Sequence, residues 1–363
     1  VYKIIKSKIE NANKDKICGF VGDLTNMETS FIFKEFLERT IDTKKYDFRS
    51  TKRFIDNSKR ENYLFNSSIN GIEEADLILL IGTNPRFEAT MINARIRKAY
   101  LSNNTKVVSL NDLGDLTYNY QSLNGKVKTI KDIFENNNEL SKEIIESKKP
   151  MIVFGESFFK IKSASYLFNL SKEFLSKNNK LNDDWNPINI LSVDAGTVGN
   201  LDLDIIDKSN KILDELHENK FEIIFLLGQD NLDFKKKDEF IIYQGSHGDR
   251  GAEIADIILP GAAYTEQSGH YTNLEGKLQK AYKASYPPGD AKEDWQIIND
   301  LAEVMNNRKL FNDKDELESS MFNYLKVNKD QQTSELDHEL NESDFTDEFL
   351  KVDYKDYYFS NVI

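Results

Sequence analysis

Polar residues that could bind a ligand are concentrated in the loop from Pro260 to Gln279, which follows an apolar run at 254–259. Open α/β sheets bind ligands beyond the carboxyl ends of their strands, so this irregular, glycine-rich loop is a candidate site. The carboxylates of Glu266 and Glu275 could act as an acid and base pair. Such groups more often hold a loop in place by accepting backbone hydrogen bonds, and we favour that role. The polar side chains of the loop are Thr265, Glu266, Asn273, Glu275 and Gln279.

A second candidate site lies at a predicted strand-to-helix turn, from Gly82 to Glu88. The amino terminus of a helix exposes backbone amides that bind phosphate, so Asn84 and Arg86 could hold a nucleotide pyrophosphate. However, the sequence has no GxxxxGK[ST] loop and no GxGxxG after a predicted strand. We therefore favour a structural role, in which Asn84 closes the turn and Arg86 pairs with Glu88 or with a neighbouring subunit.

Cysteine and histidine show no spacing that predicts a metal site. Cys18 is the single cysteine, which excludes an internal disulfide and a complete cysteine-ligated iron–sulfur or zinc site. The four histidines lack HExxH spacing, and only His247, near Asp249 in a glycine-rich turn, has a context for proton relay. A structural role for His247 is favoured, because no nucleophile or metal partner accompanies it. The sequence therefore predicts no catalytic residue and no metal ligand.

The length and net charge of the chain limit the number of domains and the classes of partner that we expect. With 363 residues, it exceeds what a single hydrophobic core usually supports, so two domains and an appendage are expected. The net charge of -13 disfavours nucleic acid and anionic lipid as partners. Apolar runs such as 77–81 and 223–227 are too short to cross a bilayer, so we expect no direct membrane insertion.

Apolar runs that read as buried strands alternate with amphipathic segments, which predicts an α/β fold made of two Rossmann-like, doubly wound lobes. The predicted domains are a first lobe at 1–148, a second lobe at 149–290 and a helical, acidic C-terminal tail at 291–363. The predicted strands lie at 17–22, 75–82, 106–110, 150–155, 188–193, 221–228, 240–243 and 254–259.

Several motifs occur in family order between residues 13 and about 305, at 62–66, 71–89, 93–98, 115–118, 241–245, 247–249, 261–266, 287–289 and 293–295. Through them the chain resembles the large iron–sulfur subunit of respiratory complex I (NADH:ubiquinone oxidoreductase). The similarity is to the carboxyl-terminal half, which is itself like molybdopterin-dependent oxidoreductases. The segment from Lys355 to Ser360 is loosely similar to the last segment of that family.

The resemblance implies a non-catalytic, structural role in the peripheral arm of complex I, on the matrix side of the mitochondrial inner membrane. It implies no cofactor in this chain. The cluster-bearing amino-terminal half of the family is absent from the sequence, so we expect the iron–sulfur clusters on a separate polypeptide, with other peripheral-arm subunits as further partners. The apolar stripe of the first helix is expected to pack against that polypeptide, and it consists of Tyr2, Ile4, Ile5 and Ile9.

Under this interpretation, five residues would be remnants of a crevice between the lobes: Asn84, Arg86, Glu266, Asn273 and Glu275. A bacterial-type complex I fragment is an alternative that differs only in compartment. The enzyme-class alternative is a molybdopterin- or nucleotide-dependent oxidoreductase, which would use the loop from Gly82 to Glu88 and the loop from Pro260 to Gln279.

Overall fold

The computed structural model describes residues 1–22, 24–331 and 342–354, which form two compact units. Both units are discontinuous in sequence. Unit one contains residues 1–52 and 194–273 and the described part of 277–332. Unit two contains residues 53–193 and 274–276 and the described part of 333–363.

The linear domain boundaries predicted at 1–148, 149–290 and 291–363 are therefore wrong. Strand pairing, and not chain order, decides which segments belong together. The strand Ile17–Val21 pairs with Ile223–Leu227, and Leu77–Ile81 pairs with Pro150–Gly155 across the predicted boundary. Parallel strands need long crossover connections, and here one connection within unit one carries residues 53–193 of unit two.

The strands lie close to the positions that the apolar runs predict, with four short additions (β2, β5, β11 and β12). They are β1 (Ile17–Val21), β2 (Tyr46–Asp47), β3 (Leu77–Ile81), β4 (Lys106–Ser109), β5 (Gln121–Ser122), β6 (Pro150–Gly155), β7 (Ile188–Leu191), β8 (Ile223–Leu227), β9 (Phe240–Gly245), β10 (Ile257–Pro260), β11 (Gly269–Thr272) and β12 (Leu278–Ala281).

The α-helices connect these strands and extend beyond the last of them. They are α1 (Tyr2–Asn11), α2 (Met27–Phe36), α3 (Pro85–Glu88), α4 (Thr90–Asn103), α5 (Val127–Phe134), α6 (Glu139–Glu146), α7 (Glu156–Phe159), α8 (Ala164–Lys177), α9 (Thr197–Asp202), α10 (Lys211–His217), α11 (Arg250–Ile254), α12 (Asp294–Asn306) and α13 (Lys314–Gln331).

Each unit contains one five-stranded parallel sheet. The strand order is β10-β9-β8-β1-β2 in unit one and β5-β4-β3-β6-β7 in unit two. In each sheet the order reverses once, between β1 and β8 and between β3 and β6. The predicted α/β fold class with two doubly wound sheets is confirmed.

The central strands are buried on both faces, as their continuous aliphatic runs predict. In unit two, Leu77 and Leu79 of β3 pack into a core with helices α5, α6 and α8, whereas Ile78 and Leu80 pack into a second core with α4. In unit one, Phe20 of β1 lies in a core with α10. The sheets are thus rigid supports for the turns at their carboxyl ends.

Helix α1 buries only part of its predicted apolar stripe within this chain, because Ile4 is 56% exposed. Ile5 is 0% exposed, Ile9 is 6% exposed, and α1 packs against α12. The Lys6 ammonium donates to two carbonyls near the end of α12, both at 3.1 Å. The expectation that a separate polypeptide covers Ile5 and Ile9 is therefore wrong, because α12 takes that place.

The predicted helical tail is represented by α12 and α13. The similarity at residues 355–360 lies outside the described residues. Among the helices of the described part of the chain, none combines the length and the apolar character needed to cross a bilayer.

Candidate functional site

The turn after β3 is held by its own polar groups. The Asn84 side chain caps α3 by accepting a hydrogen bond from the Arg86 amide at 3.2 Å, and it donates to the Leu113 carbonyl at 3.2 Å. The Arg86 guanidinium pairs with the Asp115 carboxylate at 2.7 Å, so the predicted pairing of Arg86 with Glu88 is wrong. The side chains of Asn84 and Arg86 therefore both bond to groups within unit two, as a structural role for this turn requires.

Glu88, predicted as an ion-pair partner of Arg86, is instead a buried acid in the same turn. One carboxylate oxygen accepts from the Thr83 hydroxyl at 2.6 Å and from the Asn84 amide at 2.5 Å. Burial raises the pKa of Glu88 to about 7, and the hydrogen bonds from Thr83 and Asn84 oppose that rise. The spacing of apolar residues in α3 and α4 does not predict that Glu88 is buried. Its burial follows from contacts that only the folded structure shows.

The space between the turns of β3 and β6 is filled by backbone. These two strands flank the reversal of strand order, where open α/β sheets bind ligands. A Cβ atom added at Gly155 would lie 2.4 Å from the Gly82 carbonyl oxygen, and one added at Gly82 would lie 2.5 Å from the Phe158 nitrogen. The two turns therefore pack directly on each other.

A segment near the carboxyl terminus runs past the ends of three strands of unit two. Leu350 is fully buried, and its amide donates to the Gly125 carbonyl, beyond the end of β5, at 2.9 Å. Its carbonyl accepts from the Asn111 side chain, just after β4, at 2.7 Å. The Asp353 amide donates to the Ser157 hydroxyl, just after β6, at 2.9 Å. This covering segment, residues 345–353, occupies the carboxyl edge of the sheet.

Unit one has the same close packing at its own reversal, between β1 and β8. A Cβ atom added at Gly22 would lie 1.7 Å from the Gly228 carbonyl oxygen. Gly228 has a φ of +57°, which glycine adopts at little cost. The Gln229 side chain donates to the Val21 carbonyl at 3.1 Å and ties the two turns together.

The predicted loop from Pro260 to Gln279 is not irregular throughout, since β11 and β12 pair as an antiparallel hairpin. Glu266 accepts from the Ala263 backbone amide at 3.0 Å, and Asn273 accepts from the Lys277 amide at 2.9 Å. Glu275 belongs to unit two, where its carboxylate accepts from the Ile69 amide at 2.8 Å. The side chains of Glu266, Asn273 and Glu275 hold backbone in place.

Beyond this loop, unit one contains a second acid with a raised pKa, the partly buried Asp294, which the sequence did not single out. Asp294 accepts from the side chains of Gln244 at 2.9 Å and Gln267 at 2.6 Å. Burial raises its pKa to about 6, and the hydrogen bonds from the two amides oppose that rise. Neither glutamine is an acid or a nucleophile, so this cluster holds the start of α12.

The remaining residues considered from sequence do not form a catalytic group. His247 is exposed, and its Nδ1 lies 2.8 Å from the hydroxyl of the neighbouring Ser246. Cys18 is completely buried in β1, and burial raises the pKa of its thiol well above the usual value. A protonated, inaccessible thiol is a poor nucleophile and a poor metal ligand.

One cluster of potential metal ligands in unit one gives no signal in the sequence. Glu28 of α2, His270 of β11 and Glu318 of α13 each offer one ligand atom, and these atoms lie within 4.8 Å of one another. The residues are far apart along the chain, so only the fold brings them together. The histidine was noted in the sequence without a role.

The chain is similar in sequence to one protein family and in fold to a solved structure. Residues 1–304 match the family model described as molybdopterin oxidoreductase. The chain belongs to the molybdopterin oxidoreductase family. A solved structure with this type of fold is the formyltransferase/hydrolase complex of Methylorubrum extorquens, with a TM-score of 0.55 and 12% identity over 84% of this chain and 95% of that chain. At this identity the likeness concerns the fold alone.

Within this family, the similar curated proteins are complex I subunits, which confirms the resemblance found from the motifs. The NADH-ubiquinone oxidoreductase 75 kDa subunit of Reclinomonas americana is 38% identical over 84% of this chain and 46% of its own length. An NADH-quinone oxidoreductase subunit of Rickettsia bellii is 38% identical over 88% of this chain and 46% of its own length. The mitochondrial NADH-ubiquinone oxidoreductase 78 kDa subunit of Candida albicans is 41% identical over 70% of this chain and 35% of its own length. The chain thus spans about half the length of the first two relatives.

Within either unit, the turns at the strand-order reversal leave no space between them for the molybdopterin that the family name implies. Gly22 packs on Gly228, Gly82 packs on Gly155, and the covering segment lies along the edge of the second sheet. The polar side chains at these turns already bond to backbone. We therefore derive no reaction step through this cofactor.

Proposed function

We propose that this chain is a non-catalytic, structural part of the large iron–sulfur subunit of respiratory complex I. In this role it supports electron transfer from NADH to ubiquinone by bracing the half of the subunit that bears the clusters. The observation that carries the proposal is the closed packing of the turns at both strand-order reversals, Gly22 on Gly228 and Gly82 on Gly155, in a chain whose relatives are complex I subunits.

The partners and the compartment belong to the same proposal. The iron–sulfur clusters would be carried by a separate polypeptide, and other peripheral-arm subunits would contact this chain. Its position would be peripheral, on the matrix side of the mitochondrial inner membrane. The mitochondrial relative from Candida albicans supports this compartment, while the relative from Rickettsia bellii leaves the bacterial-type alternative as an outcome of the test.

The second candidate function is a molybdopterin- or nucleotide-dependent oxidoreductase that uses the loops 82–88 and 260–279. The family match favours it at the level of fold. Against it, the side chains that it would use are engaged in hydrogen bonds or ion pairs inside their own units, as seen for Asn84, Arg86, Glu266 and Glu275. We therefore retain the structural role.

The proposal is tested by tagging the chain in the cells that produce it. We expect the tag to migrate with NADH:ubiquinone reductase activity on native gels and to recover a cysteine-rich polypeptide, identified by mass spectrometry. Substituting Glu275→Gln keeps an acceptor for the Ile69 amide, and turnover per assembled complex should then stay within about twofold of the parent.

Two outcomes would contradict the proposal. The first is a tagged chain that never migrates with complex I subunits. The second is a large fall in turnover for Glu275→Gln with the amount of assembled complex unchanged, because only a residue used in the reaction would behave in that way.

A further inference from the structure

We propose that Glu28, His270 and Glu318 form a binding site for a transition-metal dication of the Zn²⁺ type. One ring nitrogen and one oxygen of each carboxylate lie within 4.8 Å of one another. Metal–ligand bonds to His and Glu are about 2.0–2.2 Å, so an inward shift of at most about 0.7 Å for each atom closes the site around a central ion. Side-chain rotations of this size are small.

Burial sets this cluster apart from an ordinary group of surface acids. Glu28 is 1% exposed and His270 is 8% exposed, while the Glu318 side chain is 17% exposed and forms the solvent side. The ring of Phe322 stands edge-on to the His270 ring at 5.1 Å between centroids and shields it. A metal bound here would have a dry inner side and one accessible side.

The contacts around His270 fix the orientation of its ring, as a metal ligand requires. One oxygen of Glu28 accepts from the His270 amide at 2.7 Å, and the other contacts Nδ1. These two contacts fix the strand and the orientation of the ring together. Among the described residues, no hydrogen-bond partner contacts the other ring nitrogen, Nε2. The imidazole therefore retains a ring nitrogen that can bind a metal ion.

The charge balance favours a cation. Two carboxylates converge here, and the one cation paired with them among the described residues, apart from the histidine itself, is the Lys280 ammonium. It lies 3.1 and 3.2 Å from the two oxygens of Glu318. Lys280 is opposite His270 in the hairpin, and its side chain is 33% exposed. It can move into solvent, so a dication can take its place as the counter-charge of Glu318.

The ligand set indicates which metal. Imidazole with carboxylates suits Zn²⁺ and its transition-metal neighbours, whereas Ca²⁺ and Mg²⁺ favour shells made of oxygen. The three ligands come from α2, β11 and α13, so the ion would clasp the hairpin between two helices of unit one. This role is independent of the proposed function in complex I.

The test uses the full chain, freed of metal by a chelator, and ZnCl2 as the probe in calorimetric titration. We expect one ion per chain, a raised melting temperature on binding, and weak or no response to CaCl2. Substituting His270→Ala should weaken binding by about 100-fold, and Glu318→Gln by about tenfold or more, similar to losses known at metal sites. The matched control is His247→Ala, which removes an exposed histidine and should leave binding unchanged.

The Lys280→Met substitution distinguishes a metal-binding site from a cluster that is only an ion pair. It removes the competing ammonium, so Zn²⁺ should bind about tenfold more tightly. A plain structural pair would predict lower stability and no gain in binding. Circular dichroism identifies any variant that fails to fold, and the partly exposed Glu318 provides a second position if His270→Ala unfolds. The inference is overturned if neither the parent chain nor Lys280→Met binds one Zn²⁺ below about 10 µM, or if Glu318→Gln binds as tightly as the parent.

Discussion

At the scale of single residues, Glu88 makes stability depend on pH. Its pKa is raised to about 7 from the ordinary value of 4.5, so the folded chain holds this proton more tightly than the unfolded chain does. The stability it contributes is fully present below pH 4.5 and is lost as the pH rises through 7. The size of this loss is on the order of 3 kcal/mol.

We expect Glu88→Gln to raise the free energy of unfolding at pH 8 and to change it little at pH 4.5. Glutamine keeps an acceptor for Thr83 and Asn84 but has no charge to bury. Urea unfolding at both pH values measures the effect. Glu10→Gln, at an exposed carboxylate of α1, is the control. Equal effects of the two substitutions at pH 8 would contradict this account.

At the scale of elements, the contact between the turns of β1 and β8 depends on the absence of a side chain. Because the Gly22 Cβ position is 1.7 Å from a backbone oxygen, Gly22→Ala should destabilise the chain by about 3 kcal/mol or more. Gly248→Ala is the matched control, since its Cβ meets nothing within 4 Å, and we expect a change within about 0.5 kcal/mol. Thermal unfolding distinguishes them, and a tolerated Gly22→Ala would show that the turns can separate.

The covering segment of unit two is a second element whose contribution can be measured. Leu350 is fully buried in the same core as β3, so Leu350→Ala should cost about 2–5 kcal/mol. The exposed neighbour Phe349, 65% exposed, is the control, and Phe349→Ala should cost little. If the two substitutions have equal effects in urea unfolding, the segment does not stabilise unit two as its burial indicates.

The elements that the sequence predicted well are those with a local signal. Aliphatic runs located the central strands of both sheets, because strands covered on both faces are apolar at every position. The strands β2, β5, β11 and β12 have two to four residues each and lack such a run. The hairpin depends on the turn at Gly276, whose φ is +77°, and a lone glycine does not identify such a turn.

The sites were less accessible to sequence analysis than the strands. Asn84 and Arg86 follow a recognisable strand end, so their turn could be located. The Glu28 contact with His270 spans 242 positions, and its geometry depends on strand pairing that no local pattern encodes. For the same reason the domain boundaries were missed, because each predicted lobe was read as a continuous stretch of chain.

At the scale of the whole molecule, we expect the isolated chain to contain neither iron–sulfur clusters nor molybdenum. A single buried cysteine cannot ligate a cluster, and the turns at the strand-order reversal of each unit pack directly on each other. Elemental analysis after gel filtration measures both metals, with zinc quantified in parallel. Stoichiometric iron or molybdenum would contradict this expectation and would favour the oxidoreductase alternative.

The insertion of one unit into the other also sets an order of events during synthesis. Residues 53–193 of unit two are contiguous, so most of its sheet and core can form while the ribosome is still translating the remainder. The edge of strand β1 that pairs with β8 stays unpaired until β8, about 200 residues later in the chain, has been synthesised. Until then Ile17, Phe20 and Val21 present apolar surface that a chaperone can bind. Strand β1 is therefore vulnerable to aggregation during synthesis, although all five of its residues are buried in the folded chain.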